Sequence, residues 1–206
     1  MQTDWDKYYE TPFWASRFTR AYTTGRLVRL MRLHGPARPS ILEYGGGNSC
    51  FFRALRDALS PAAYTVMDSN AKAVRMFADA TRDDPAVRAV QGSVLDAPDS
   101  TMRADIVFSA GLIEHFDPAG TRRAVETHFA AARPGGLVIL TFPTPTQLYR
   151  AIRRGAERLG RWAFPDERPL SASEVADALP PGASVLATGI LWPLLLTQGI
   201  IAARNP

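Results

Sequence analysis

The stretch ILEYGGGNSCFFRALRDAL, residues 41–59, constrains the fold more than any other part of the chain. A short apolar run meets three consecutive glycines, Gly45, Gly46 and Gly47, and a helical pattern follows. Short, uninterrupted apolar runs read as strands buried on both faces. Glycine reaches positive φ and carries no β-carbon, so this strand-to-helix turn offers bare backbone at a helix N-terminus for a ligand to approach.

The same grammar repeats downstream. AYTVMD reads as a strand, AKAVRMFADATR as a helix, AVRAVQGSV and ADIVFSAG as strands, and Pro118 to Ala132 as a helix; GLVILTF is a strand after an RPGG turn. Alternating β and α elements predict a parallel sheet covered by helices on both faces. Ahead of this core, Trp5 to Leu33 carries Phe13, Trp14, Phe18, Tyr22, Leu27, Leu30 and Met31 at mixed helical spacing, which predicts one or two helices. Behind it come a helix from Tyr149 to Leu159 and another starting at Ser171, where Ser171 and Glu174 have capping-box spacing. Val185 to Ala203 is apolar for almost the length of a membrane span, but Gly189, Pro193, Gln198 and Gly199 interrupt it, so two buried strands around a turn are expected and no span.

At 206 residues the chain fits one domain: a helical cap over 1–36, a core over 37–143, an insertion over 144–182 and closing strands over 183–206. The net charge of +4 is almost all arginine, since Lys7 and Lys72 are the only lysines. The densest group, Arg150, Arg153, Arg154, Arg158 and Arg161, has helical spacing and reads as a solvated face, so no nucleic-acid partner is expected. Cys50 is the single cysteine, which excludes an internal disulfide and a multi-thiolate metal site and suits a reducing cytoplasm; the N-terminus reads as no signal peptide.

Two carboxylates indicate what the glycines are for. Glu43 precedes them, where it would repel a pyrophosphate and attract a cationic ligand. The dinucleotide fingerprint G-x-G-x-x-G also fails, because Cys50 stands at its last glycine. Asp68 ends the second strand, where an acidic residue accepts both hydroxyls of a ribose. A buried ion pair for Glu43 and a helix N-cap for Asp68 are the alternatives.

The series ILEYGGGNS, YTVMDSN, VQGSVLDAP, ADIVFSAGLIEHF and RPGGLVILTFP resembles, in order and spacing, the motif set of the class I S-adenosylmethionine-dependent methyltransferases, the small-molecule kind included. The resemblance spans about Ser40 to Pro143. It implies an α/β, Rossmann-like, doubly wound, seven-stranded, mainly parallel sheet with an antiparallel last strand. It also implies S-adenosyl-L-methionine as cofactor and S-adenosyl-L-homocysteine as product. Carried over, Glu43 neighbours the methionine end, Gly45, Gly46 and Gly47 form the loop beneath the ligand, and Asp68 holds the ribose with Ser69 beside the adenine. Ser93 and Val94 face the adenine edge, Ser93 standing where the family usually has aspartate. Ala110 offers its carbonyl to the cofactor ammonium. Apart from the resemblance, Tyr22 or Arg26 of the N-terminal region is the candidate to reach the cofactor carboxylate.

Methyl transfer from a sulfonium needs mainly alignment, exclusion of water and, for some acceptors, a base. His115, just after the fourth strand, is the candidate base, with a loop-framing role beside Glu114 as the alternative. His34 and His128 read as surface or helix-end residues, and no metal site is expected. Aromatic residues of the N-terminal region (Trp5, Tyr8, Tyr9, Trp14, Tyr22) and of the insertion (Tyr149, Trp162, Phe164), with Asp166, Glu167 and Arg168, are the candidates for shaping a small-molecule acceptor pocket. A monomer or homodimer is expected. The rival readings are a non-catalytic binder of the same cofactor and an NAD-dependent oxidoreductase.

Overall fold

The computed structural model describes residues 3–10, 16–98, 100–192 and 197–206. Phe13, Trp14 and Pro193 of the sequence reading lie outside them.

Seven strands form one sheet in the order β3-β2-β1-β4-β5-β7-β6. They are β1 (Ser40–Tyr44), β2 (Ala63–Asp68), β3 (Val87–Gln91), β4 (Ala104–Ala110), β5 (Ala132–Pro143), β6 (Ser184–Trp192) and β7 (Gln198–Arg204). The pairs from β3 through β5 are parallel, and β7 runs antiparallel to both β5 and β6. The expected mainly parallel sheet with an antiparallel last strand is therefore present. Around it stand helices α1 (Trp5–Glu10), α2 (Ser16–His34), α3 (Phe52–Leu59), α4 (Ala71–Thr81), α5 (Pro118–Ala131), α6 (Gln147–Arg158) and α7 (Ala172–Asp177).

Strand alternation divides the core in two. Ile41, Tyr64, Val66, Ile106, Phe108 and Ile139 pack with Leu27 and Met31 of α2, Phe52 and Leu55 of α3, and Phe77 of α4. Leu42, Tyr44, Met67, Val107, Val138 and Leu140 pack on the other face with Ala124, Val125 and Phe129 of α5 and Val175 of α7. Burial on both faces explains why these strands read as continuous apolar runs.

Three local expectations change. The RPGG segment lies within the span of β5, but residues 133–136 have no strand partner: the register jumps from Ala132 opposite Ala104 to Leu137 opposite Ile106, with Gly135 at φ 70°, so the expected turn is a loop-out inside one strand. His128 is not a surface residue: it is fully buried in α5, where Nδ1 donates to the Ala124 carbonyl at 2.7 Å and the ring meets Tyr44 at a centroid distance of 4.9 Å. Its position on the apolar stripe of α5, four residues after Ala124, turns it inward. Within the arginine group, Arg153 turns toward the protein, bonding Glu157 and the Glu167 carbonyl and lying 5.3 Å from the Trp162 ring centre.

Candidate active site

Strands β1, β2, β3 and β4 end side by side, and their C-terminal ends place the motif residues at one edge of the sheet. Glu43 pairs with Val66 and Tyr44 with Met67, so Glu43 and Asp68 stand on neighbouring strands. The Gly45 N–H donates to the Met67 carbonyl at 2.8 Å, and the chain then leaves the sheet through Gly45 at φ 67° and Gly47 at φ 48°. A β-carbon on Gly46 would lie 2.8 Å from Glu43 Cδ and 2.9 Å from Val66 Cγ1, so the middle glycine is required by packing.

Glu43 is 2% exposed and accepts hydrogen bonds at Oε2 from Ser49 Oγ and Tyr64 Oη, both at 2.7 Å. Burial pushes its carboxyl up to about 7 against the two donors, and the Asp68 charge adds to the rise. Among the described residues its partners are hydroxyls and not a cation. The Tyr64 contact follows from the register: Tyr64 faces Ile41, one diagonal step from Glu43 on the same side of the sheet.

Asp68 accepts from the Asn70 N–H at 2.8 Å, the Tyr9 hydroxyl at 3.1 Å and the Gly47 N–H. Burial raises its carboxyl above the ordinary value, opposed by these donors. Asp68 is not the N-cap of α4, because Asn70 fills that role by accepting the Ala73 N–H. Ser69 follows Asp68, and its carbonyl faces Gln91 Nε2 at 3.5 Å. Beyond β3, Ser93 Oγ accepts the Leu95 N–H at 3.1 Å, Val94 is buried, and the Gly92 N–H reaches the Asp68 carbonyl at 3.0 Å. Ala110 closes β4. Tyr22 on α2 is 45% exposed, whereas Nε of Arg26 on the same helix is buried without a partner.

Helix α1 lies over this edge. Besides Tyr9 on Asp68, Asn70 Nδ2 donates to Asp6 Oδ1 at 2.6 Å, and Thr3 bonds the Asp166 carboxylate through both its N–H and its hydroxyl. Trp5 meets the His115 ring edge-on at 4.9 Å, and Tyr8 meets Phe164 at 5.5 Å. The sequence places Tyr9 among acceptor-side aromatics, but its hydroxyl sits on the residue expected to hold the ribose.

The loop after β4 carries Glu114 and His115 in a 3-10 turn, Ile113–His115. It is pinned by Thr121 Oγ1 on the Ile113 carbonyl and by the Arg168 N–H on the Glu114 carbonyl. His115 Nδ1 lies 3.2 Å from Asp166 Oδ1; burial lowers the imidazole's affinity for a proton and Asp166 opposes that. Glu114 is 2% exposed, and its Oε2 has no hydrogen-bond partner. The insertion thus supplies Asp166 and Glu167 to the same corner that β4 supplies with Glu114 and His115.

Residues 41–136 match the family model described as methyltransferase domain. The fold is the Rossmann-like one of the class I methyltransferases. The N-methyltransferase NodS from Bradyrhizobium japonicum WM9, solved with S-adenosyl-L-homocysteine, superposes with a TM-score of 0.69 at 16% identity over 94% of this chain and 91% of that one. Magnesium protoporphyrin IX methyltransferase from Synechocystis PCC 6803 gives 0.69 at 14% identity, over 91% and 84%. A chain of the complex between the Haloferax volcanii Trm112 methyltransferase activator and a methyltransferase gives 0.75 at 16% identity, over 100% and 99%. No curated protein matches in sequence. The methyltransferase family uses S-adenosyl-L-methionine, and among the described residues of this domain no helix is long and apolar enough to cross a membrane.

Proposed function

We propose that the protein binds S-adenosyl-L-methionine at the C-terminal edge of β1 to β4 and transfers its methyl group to a small-molecule acceptor. The observation that carries this reading is the pair of carboxylates, Glu43 and Asp68, on adjacent strands with positive-φ glycines between them. A methionine ammonium beside Glu43 would draw that buried carboxyl to its ionised form, and Asp68 has the acceptor atoms a ribose diol needs. The donor set fits an adenosyl cation and opposes a pyrophosphate.

In this reading Gly45, Gly46 and Gly47 lie beneath the ligand, Ser69, Ser93 and Val94 border the adenine, and Ala110 offers its carbonyl to the ammonium. Tyr22 or Arg26 meets the carboxylate, and the buried unpartnered Nε of Arg26 favours the arginine. When bound, S-adenosyl-L-methionine would supply an electrophilic methyl group on a sulfonium, with sulfur leaving as the neutral thioether of S-adenosyl-L-homocysteine. His115, oriented by Asp166 and walled by Trp5 and Phe164, is the group we place at the acceptor. The remaining work is alignment and exclusion of water.

The test is calorimetric titration with S-adenosyl-L-methionine, S-adenosyl-L-homocysteine and NADH, followed by a transfer assay with labelled methyl over a metabolite set. Saturable binding of the two sulfur ligands and not of NADH is expected, with loss in Asp68→Ala. Binding of NADH in preference would overturn the reading, and cofactor binding without transfer to any acceptor would favour a non-catalytic binder.

A further inference from the structure

The corner that joins the loop after β4 to the insertion holds more acid than its hydrogen bonds use. One oxygen of Glu114, one ring nitrogen of His115 and one oxygen of Glu167 all lie within 4.8 Å of one another. Glu114 Oε2 is buried with no partner, which leaves a strong acceptor facing no donor. Asp166 adds a third carboxylate through its contact with His115.

Among the described residues the arginines nearby are engaged mostly with other groups. Arg168 directs its guanidinium to Glu174, the Thr121 hydroxyl and the Phe116 carbonyl. Arg153 bonds Glu157 and the Glu167 carbonyl and makes only a long ion pair with Glu167, Nη1 lying 3.9 Å from Oε1, while Glu114 has no cation partner among the described residues. Burying carboxylates together without a counter-charge is costly unless a cation compensates.

We propose that Glu114, His115 and Glu167 bind a divalent cation. Ligands on an ion at bond lengths of about 2.0–2.2 Å lie roughly 3–3.6 Å from one another, so the three groups need to close by about 1 Å. Two carboxylate oxygens and one imidazole nitrogen suit manganese or zinc better than a thiophilic ion. The surroundings have the form of a second sphere: Asp166 holds one ring nitrogen of His115, and the Tyr149 hydroxyl bonds Glu167. Three protein ligands would leave coordination positions open for water or an acceptor. His115 then serves as a ligand, and the base role suggested by the sequence passes to whatever the ion polarises. Binding of the ion stands apart from the proposed methyl transfer; only its use at an acceptor oxygen rests on that reading.

The test takes the full-length protein after chelator treatment and dialysis and titrates Mn²⁺, followed by loss of the free-ion electron paramagnetic resonance signal, with Zn²⁺ and Mg²⁺ as competitors. One saturable site is expected. Glu114→Gln and Glu167→Gln should each weaken it at least about tenfold, and Asp166→Asn by a smaller factor. Circular dichroism melts check folding, and Glu167→Gln serves if Glu114→Gln does not fold. The absence of a saturable site, or unchanged affinity in the folded variants, overturns the proposal. S-adenosyl-L-homocysteine titrated into the same preparations separates the outcomes: cofactor binding without the ion sinks the metal site alone, and ion binding without the cofactor sinks the methyltransferase reading.

Discussion

The Tyr9 hydroxyl donates to Asp68 Oδ2 at 3.1 Å, and a β-carbon on Gly47 would overlap that same hydroxyl. The N-terminal helix therefore occupies the space above the glycine turn and satisfies the carboxylate assigned to the ribose. Burial and the Asp68 charge push the Tyr9 phenol well above its ordinary range, so it stays a donor. A ligand that takes Asp68 must take it from Tyr9.

Competition of this kind sets the sign for Tyr9→Phe. A hydrogen bond to a charged group contributes about 1.5–3 kcal/mol net of the water it replaces, which is the upper bound on what its removal returns to a competing ligand. Loss of the hydroxyl should tighten S-adenosyl-L-homocysteine binding by about two- to tenfold in calorimetry. Trp5, packed on Tyr9 and His115, should change its fluorescence on binding in the wild type. Weaker binding in Tyr9→Phe would mean that the phenol belongs to the cofactor site instead of competing for it.

With the cofactor bound beside Glu43 as proposed, binding should release a proton. With its carboxyl near 7, about half of the free protein carries that proton at pH 7. A bound ammonium favours the ionised form, so S-adenosyl-L-methionine should expel about half a proton at this pH and less at pH 8.5. Titrations in buffers of different ionisation enthalpy read the number directly. Glu43→Gln should release none and bind more weakly, and an unchanged release in that variant would remove Glu43 from the ligand.

The sheet and the two carboxylates were legible because their signals are local: apolar runs, a glycine turn and the spacing from Gly47 to Asp68. What supports them was not. Tyr64 reaches Glu43 only through the β1–β2 register, and Tyr9 reaches Asp68 across 59 positions of chain. Asp166 meets His115 across 51 positions, joining two segments that no periodicity links. His128 does stand in the last turn of its helix, but its burial is hidden for a related reason, since a polar side chain within a helical pattern carries no sign of which face buries it until the sheet is in place.

Gly46 tests whether packing alone demands the middle glycine, since its φ is not positive. An added methyl would press on Glu43 Cδ and Val66 Cγ1, which are both buried. Gly46→Ala should cost about 1–3 kcal/mol in urea unfolding and displace Glu43, abolishing measurable cofactor binding. Wild-type stability together with wild-type affinity would show that the turn yields without moving the carboxylate.

His128 gives the domain a defined acid sensitivity. Burial holds its imidazole at about 4, against an ordinary 6.5, and Nε2 has no partner. The folded state then binds fewer protons than the unfolded state between those values, so the residue's contribution to stability falls as pH drops from about 6.5 to 4. The loss is on the order of 3 kcal/mol. Glu43 acts in the opposite direction, because its raised carboxyl makes the folded state the better proton binder between about 4.5 and 7. The readout is therefore the difference between wild type and His128→Phe, which keeps a ring against Tyr44 while removing the titration. Urea unfolding from pH 7 to 4 should show the wild type losing stability relative to the variant throughout that range. Parallel curves would mean that His128 takes up its proton without opening the core.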